Sequence, residues 1–116
     1  MGAHYASVMI ACIPVTPDGE VDPRWGRADC LALAVVTDGA ISEWQEIEVS
    51  WSTLHDQGTG AQHHARVARF LKEHHVDAVI ADHVGDGMVR MLQTMSIPLH
   101  LDASGDARTA VLAALS

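Results

Sequence analysis

The feature that most constrains the fold is the apolar run VDAVIAD at 76–82, which follows directly on a helical pattern. Apart from Asp77, this run has no polar alternation, which is typical of a strand covered on both faces. Two further helix-like segments, 85–95 and 106–115, flank a short apolar run at 97–101. This order predicts parallel strands that are joined by right-handed crossovers and covered by helices.

The N-terminal part of the chain predicts three more strands. Residues 7–15 form a β-prone run that prolines stop, and residues 30–37 form a second run. Asp38-Gly39 then predicts a tight hairpin into 40–51, whose apolar residues alternate poorly, as expected of a bulged strand at a sheet edge. The predicted fold is α/β, a single domain over residues 1–116 with a five-stranded mixed sheet flanked by helices, in the order β-β-β-α-β-α-β-α.

Composition narrows the class of protein. Seven Lys and Arg against fifteen Asp and Glu give a net charge of -8, which disfavours nucleic acid as a partner. No apolar run approaches the roughly 20 residues that span a bilayer, and we find no secretory signal, so we expect a cytoplasmic protein. Cys12 and Cys30 lie in predicted strands without C-x-x-C spacing, so we expect core thiols rather than a disulfide or metal ligands.

Histidines are dense in HDQGTGAQHH, residues 55–64. Thr59 and Gln62 have the spacing of a capping box, which predicts that a helix begins here. Its start should lie at the end where the strand 76–82 finishes, because the helix runs antiparallel to the strand that it feeds. His63 and His64 should therefore lie near His83, with His55 just upstream.

Two glycine-containing segments should reach the same end of the sheet. In VDPRWGRAD, Arg24 and Arg27 can clamp an anion, and we place Trp25 at the mouth of a ligand site. In HVGDGM, backbone N–H groups at a helix start favour an anion. Imidazoles suit iron, zinc and copper. The predicted metal ligands are His55, His63, His64 and His83, and the predicted cofactor contacts are Arg24, Trp25, Gly26, Arg27, Gly85 and Gly87.

Other residues have structural interpretations. His74 and His75 end the helix far from this site, and His4 we take as incidental. His100 either reaches the same end of the sheet or is packed. Three methionines at helical spacing, Met88, Met91 and Met95, indicate a core stripe. A solvated loop and helix start remains the alternative for the clustered histidines.

The order of motifs resembles the dinitrogenase iron-molybdenum cofactor biosynthesis family. The resemblance rests on IPVTPDGEVDPRWGRAD, on the segment from HDQGTGAQHH to DHVGDGM, and on MLQTMSIPLHL, and it covers nearly the whole chain. It implies a ribonuclease H-like topology and the binding of an iron-molybdenum cofactor precursor, or another iron-sulfur or metal cluster, rather than catalysis. A single Fe or Zn ion is the alternative cargo.

One departure from the family pattern bears on the site. The family's signature loop usually reads His-Phe-Gly-Arg, whereas this chain has Arg24-Trp25-Gly26-Arg27. Arginine has no lone pair for a metal. Either the histidines at 55, 63, 64 and 83 supply the ligands, or the site contacts only the anionic outside of a cluster.

Two classes of function follow from the sequence. The first is a non-catalytic carrier or sensor of a metal cluster, which exchanges it with a donor or acceptor protein. The second is an acidic protein-interaction or regulatory domain without a bound metal. A hydrolase ranks third, since the chain has no nucleophile elbow, Walker loop or H-E-x-x-H motif.

Overall fold

A computed structural model describes residues 7–116 as an α/β domain built on one five-stranded sheet. The strands are β1 (Val8–Pro14), β2 (Cys30–Thr37), β3 (Ala40–Glu48), β4 (Ala78–Ile80) and β5 (Leu99–His100). The helices are α1 (Trp51–Leu54), α2 (Gly60–Glu73), α3 (Asp86–Thr94) and α4 (Ala107–Leu115). His4 lies outside the described residues. No helix within 7–116 is long and apolar enough to cross a membrane.

The sheet is mixed, as predicted, and its order is β3-β2-β1-β4-β5. β1 pairs antiparallel with β2 and parallel with β4, while β2 pairs antiparallel with β3 and β4 parallel with β5. All three residues of β4 are buried, and β4 lies between β1 and β5 in the sheet. The middle strand of the five is β1. The finer prediction of a ribonuclease H-like topology stays a prediction.

The β2-β3 hairpin confirms its predicted turn and its bulge. Asp38 and Gly39 both have positive φ, 52° and 82°, which is the conformation that an Asp-Gly hairpin turn requires. The register shifts between Val35 and Val36, and β3 forms one edge of the sheet. Half-buried residues occur at every third position along β3, at Ile41, Trp44 and Ile47, rather than at every second, so its sequence lacks a clean alternation.

The chain after β3 departs from the prediction. β3 ends at Glu48 rather than at 51, and the short helix α1 follows where we expected a loop. Ser50 has a φ of 53°, which turns the chain out of the strand direction. Trp51 then packs edge-on against Trp25 and Phe70, with ring centroids 5.7 and 5.8 Å apart. Burial of this large aromatic side chain explains the turn.

Apolar side chains cover both faces of the sheet. One cluster lies beneath α1, α2 and α3 and includes Cys12, Leu33, Trp51, Val67, Leu71, Val79, Met88 and Leu92, with Met91 and Met95 packed against it. The other lies beneath α4 and includes Ala11, Ile13, Ala32, Ala34, Ile80, Ala107 and Val111, with Cys30 at its margin. The methionine stripe is therefore part of the core, and Cys12 is fully buried.

Candidate functional site

A cleft of about 370 Å³ opens between the segments that follow β1 and β4 and the start of α2. Arg24 and His83 form an isolated parallel β-bridge, which joins the two strand-following segments. The cleft is lined by Pro23, Arg24, Trp25, Gly26, Arg27, His55, His63, His64, His83, Val84, Gly85, Gly87 and Met88. The structure thus brings together all ten residues predicted from the sequence. Their role toward a metal or cofactor stays a prediction.

The capping box at the start of α2 fixes where the histidines lie. Thr59 Oγ1 accepts the backbone N–H of Gln62 at 3.1 Å, and Gln62 Oε1 accepts the backbone N–H of Thr59 at 2.8 Å. The helix therefore begins at a defined residue, and the side chains of its first turn point in set directions. His63 faces the sheet, and His64 lies beside it on the half-buried flank.

His63 is a buried residue whose two ring nitrogens are both occupied. Its exposed fraction is 2%, and its ring packs edge-on against Trp51 at 5.8 Å. Nε2 lies 2.8 Å from the carbonyl oxygen of Gly26, and Nδ1 lies 2.7 Å from Nη1 of Arg66. Burial lowers the pKa of His63, and the charges of His55 and Arg66 act in the same direction, while the Gly26 carbonyl opposes them. His63 is therefore neutral near pH 7.

The other histidines of the cleft have freer rings. His55 stacks edge-on against His63 with ring centroids 4.9 Å apart, and its Nδ1 lies 3.4 Å from Asp56. His64 is half-buried and lies so close to α3 that a Cβ added at Gly87 would be 2.9 Å from its Cε1. His83 is exposed. Neither His64 nor His83 forms a side-chain hydrogen bond to the part of the chain that the structure describes.

The arginine loop is held by a buried carboxylate that sequence reasoning missed. Asp22, 3% exposed, accepts two hydrogen bonds from the guanidinium of Arg24, at 3.1 and 3.0 Å, and one from its backbone N–H. These bonds and the charge of Asp22 raise the pKa of Arg24. Arg27 makes a looser ion pair with Asp56, at 3.4 Å between largely exposed groups. The Asp22 pair orients Arg24, whose remaining N–H groups stay available.

Trp25 forms the floor of the cleft rather than its mouth. Its exposed fraction is only 2%, because it packs against Trp51. Its indole Nε1 is buried and has no hydrogen-bond partner within residues 7–116. Trp25, which we placed at the mouth of a ligand site, therefore lines the cleft with a buried ring, since apolar contact area decides the position of this side chain.

The cleft is lined by basic residue types although the chain is acidic. It contains two arginines and four histidines and no aspartate or glutamate, in a chain whose net charge is -8. At the start of α3, Gly85 offers no side chain to cap the first N–H groups, and Asp86 places one carboxylate in the first turn. The nearest carboxylates, Asp22 and Asp56, flank the cleft and pair with its two arginines.

Three other histidines lie outside the cleft. His74 and His75 line a separate cavity with Ile10 and Glu43, and His100 lines a third beside α4. Within the described residues, no three His, Cys, Asp or Glu side chains come together to hold one metal ion.

Comparison with known proteins identifies the family. The family model described as dinitrogenase iron-molybdenum cofactor matches residues 7–116. The chain belongs to this family. The resemblance inferred from the motifs is thereby confirmed, and it places the domain among cofactor-related accessory domains. No curated protein matches the chain significantly.

Two solved structures share the fold of this family member. The crystal structure of PH0822 is 17% identical, covers 92% of this chain and 89% of its own, and has a TM-score of 0.72. The apo form of the orange protein from Desulfovibrio gigas is 21% identical, covers 90% of this chain and 85% of its own, and has a TM-score of 0.66. At these identities the likeness shows the α/β fold alone.

Proposed function

We propose that this domain binds an anionic metal-sulfur cluster, related to iron-molybdenum cofactor, as cargo in the cleft and does not transform it. The observation that carries the proposal is the lining of the cleft, which has arginines and histidines and no carboxylate. A chain with a net charge of -8 repels anions over most of its surface. A basic pocket on such a chain attracts an anion, while the acidic surface around the pocket disfavours binding of that anion elsewhere. The family membership supplies the class of anion.

In this proposal the arginine loop and the start of α3 contact the outside of the cluster. Arg24, oriented by Asp22, and Arg27 supply charge-assisted hydrogen bonds to sulfide or oxygen atoms of the cargo. Backbone N–H groups near Gly85 and Gly87 add neutral donors. These contacts need no lone pair from residue 24, so they agree with the presence of arginine there.

Imidazole ligation of a metal falls to the remaining histidines. His55, His64 and His83 line the cleft, and a thiophilic cluster with an open metal position can accept a nitrogen from one of them. Three such groups do not lie close enough together for a single ion within 7–116. The cargo is therefore held as a body with several outward atoms rather than as a mononuclear centre.

A matched pair of double variants tests the proposal. Tetrathiomolybdate, an anionic molybdenum sulfide with strong visible absorption, serves as the probe in anaerobic titrations. We expect Arg24→Gln/Arg27→Gln to weaken binding about tenfold or more, which corresponds to roughly 1.4 kcal/mol. Arg69→Gln/Arg90→Gln removes the same charge from exposed positions outside the cleft and should leave the affinity within about threefold.

Two outcomes contradict the proposal. One is wild-type protein that binds no tetrathiomolybdate and contains no molybdenum, iron or copper by elemental analysis after anaerobic purification. The other is an equal loss of affinity in the two double variants, which shows that net charge rather than the cleft governs binding. Molybdate and sulfate titrations in parallel separate a preference for sulfide from general anion binding.

The second candidate function is an acidic interaction domain without a bound metal. The edge strand β3 favours it, because Glu43, Glu46 and Glu48 are exposed there. Such an edge suits a basic surface of a partner protein. A stable complex that Arg24→Gln/Arg27→Gln leaves unchanged, together with no metal-sulfur binding, supports this function over the first.

A further inference from the structure

We propose that His63 is a positioning residue that fixes the arginine loop of the cleft and is not itself a metal ligand. The proposal rests on the proposed function of the cleft and names how its anion-binding loop is held. It assigns to His63 a contact with Gly26, in the middle of Arg24-Trp25-Gly26-Arg27, and to Arg66 the task of holding the imidazole in the required tautomer.

The two hydrogen bonds of His63 determine which nitrogen carries the proton. The carbonyl oxygen of Gly26 only accepts, so His63 Nε2 donates across the 2.8 Å contact. The guanidinium of Arg66 only donates, so His63 Nδ1 accepts across the 2.7 Å contact. The ring is therefore neutral with its proton on Nε2, and it has no free lone pair. A metal on either nitrogen would break one of these bonds.

The surroundings of His63 leave its ring little freedom. It is 2% exposed and lies against Trp51 and His55. Arg66 is held in turn, because its Nη1 also donates to the carbonyl oxygen of Leu54 at 3.2 Å. The chain of contacts from Leu54 through Arg66 and His63 to Gly26 therefore connects α1 and α2 to the loop. The loop is also anchored by the Asp22–Arg24 pair, by the bridge between Arg24 and His83 and by the packing of Trp25 on Trp51, but none of these contacts holds the Gly26 carbonyl.

His63 contacts the arginine loop at Gly26, which lies between Arg24 and Arg27. A Cβ at this residue would lie 3.8 Å from His63 Nε2 and 4.0 Å from His55 Cδ2, so the imidazoles pack directly on the backbone. Because Arg24 and Arg27 flank this point, moving Gly26 changes the spacing of the two guanidinium groups. A group that holds the Gly26 carbonyl thus sets the width of the anion site.

Paired substitutions of His63 distinguish positioning from ligation. Glutamine can place an amide N–H where Nε2 lies but offers no imidazole nitrogen, whereas leucine offers neither. We expect His63→Leu to weaken tetrathiomolybdate binding about tenfold, the lower end of what lost supporting contacts cost a metal site. His63→Gln should restore most of that affinity. His64→Leu, one residue along, should weaken binding without affecting the loop.

Two measurements without ligand keep the test independent of the cluster. Nitrogen NMR of the imidazole should show a neutral ring with Nε2 protonated, and Arg66→Met should alter that pattern. Hydrogen exchange of the Arg24 and Ala28 amides should rise in His63→Leu and remain at the wild-type rate in His63→Gln and His64→Leu. If wild type binds no tetrathiomolybdate and contains no molybdenum, iron or copper, the proposed function is wrong, while these two measurements still decide the role of His63.

Three results overturn the positioning role. The first is a ring whose proton resides on Nδ1. The second is unchanged exchange of the loop amides in His63→Leu. The third is His63→Gln that binds as poorly as His63→Leu although its loop exchanges like wild type, since that pattern identifies the imidazole as a ligand. Circular dichroism and urea unfolding confirm that each variant is folded.

Discussion

One methyl group at Gly87 should separate the stability of the fold from the geometry of the cleft. A Cβ at this position would lie 2.9 Å from His64 Cε1, well inside the contact distance of about 3.5 to 4.0 Å between carbon atoms. The contacted atom belongs to a half-buried, rotatable side chain and not to backbone. In Gly87→Ala we therefore expect the imidazole to move and α3 to stay in place.

The expected energies come from two opposing effects. Replacing a glycine that has an ordinary helical conformation by alanine stabilises a protein by about 0.4 to 1 kcal/mol. Forcing the His64 ring off its rotamer costs about 0.5 to 1.5 kcal/mol. Gly87→Ala should therefore be close to neutral. Gly60→Ala is the matched control, because Gly60 begins α2 and a Cβ there meets nothing within 4 Å. Gly60→Ala should therefore be stabilised by the full amount of about 0.4 to 1 kcal/mol.

Urea denaturation of five proteins measures the coupling. Wild type, Gly60→Ala, Gly87→Ala and Gly87→Ala/His64→Ala are compared, with His64→Ala completing the cycle. Truncating His64 should make Gly87→Ala stabilising by about 0.4 to 1 kcal/mol, near 4 °C in Tm at most. The predicted clash with His64 is contradicted if Gly87→Ala alone stabilises the protein as much as Gly60→Ala does and the His64 ring resonances stay unshifted. Tetrathiomolybdate affinity should fall in Gly87→Ala and in both variants that lack the His64 imidazole, and should stay at the wild-type level in Gly60→Ala.

Three further predictions concern single residues. Thr59→Ala removes half of the capping box and should lower the free energy of unfolding by about 1 kcal/mol in urea; an unchanged midpoint contradicts the assigned cap. Burial raises the pKa of the Cys12 thiol strongly and that of Cys30 less, so native-state alkylation followed by mass spectrometry should label Cys30 first. Burial lowers the pKa of His63 from 6.5, so the unfolded state binds more protons and stability should fall as the pH drops below 6.5. Across that pH range, the free energy of unfolding of His63→Gln should change less with pH than that of wild type. An equal pH dependence of the two proteins contradicts the assignment.

Most of the fold was predictable because long periodic segments carry it. The apolar run around β4, the paired runs of β1 and β2, and the Asp38-Gly39 turn each have a local signal that tertiary contacts reinforce. The helix α1 had no such signal. Four residues do not form a helix on their own, and Trp51 ends the strand early because its side chain is buried against other aromatic rings.

The sequence predicted which residues line the cleft, but it did not predict the hydrogen bonds among them. Topology places the start of α2 beside the segment after β4, so His64 and His83 had to come near each other. The partners of His63 depend on how closely two loops approach, which no local pattern states. Arg66 did carry a signal, since it lies three residues from His63 on one helix face. The buried Asp22 beside Arg24 carried only a common short-range spacing.

The bridge between Arg24 and His83 bears on how such a cleft can change during evolution. Main-chain atoms make this bridge, so the backbone at position 24 stays against His83 whatever side chain it carries. Exchanging histidine for arginine at position 24 replaces an electron-pair donor by a permanent cation and leaves the main-chain bridge in place. For the cargo binding proposed above, we expect one such substitution to change the contribution of residue 24 from coordination to charge while the main-chain bridge is retained.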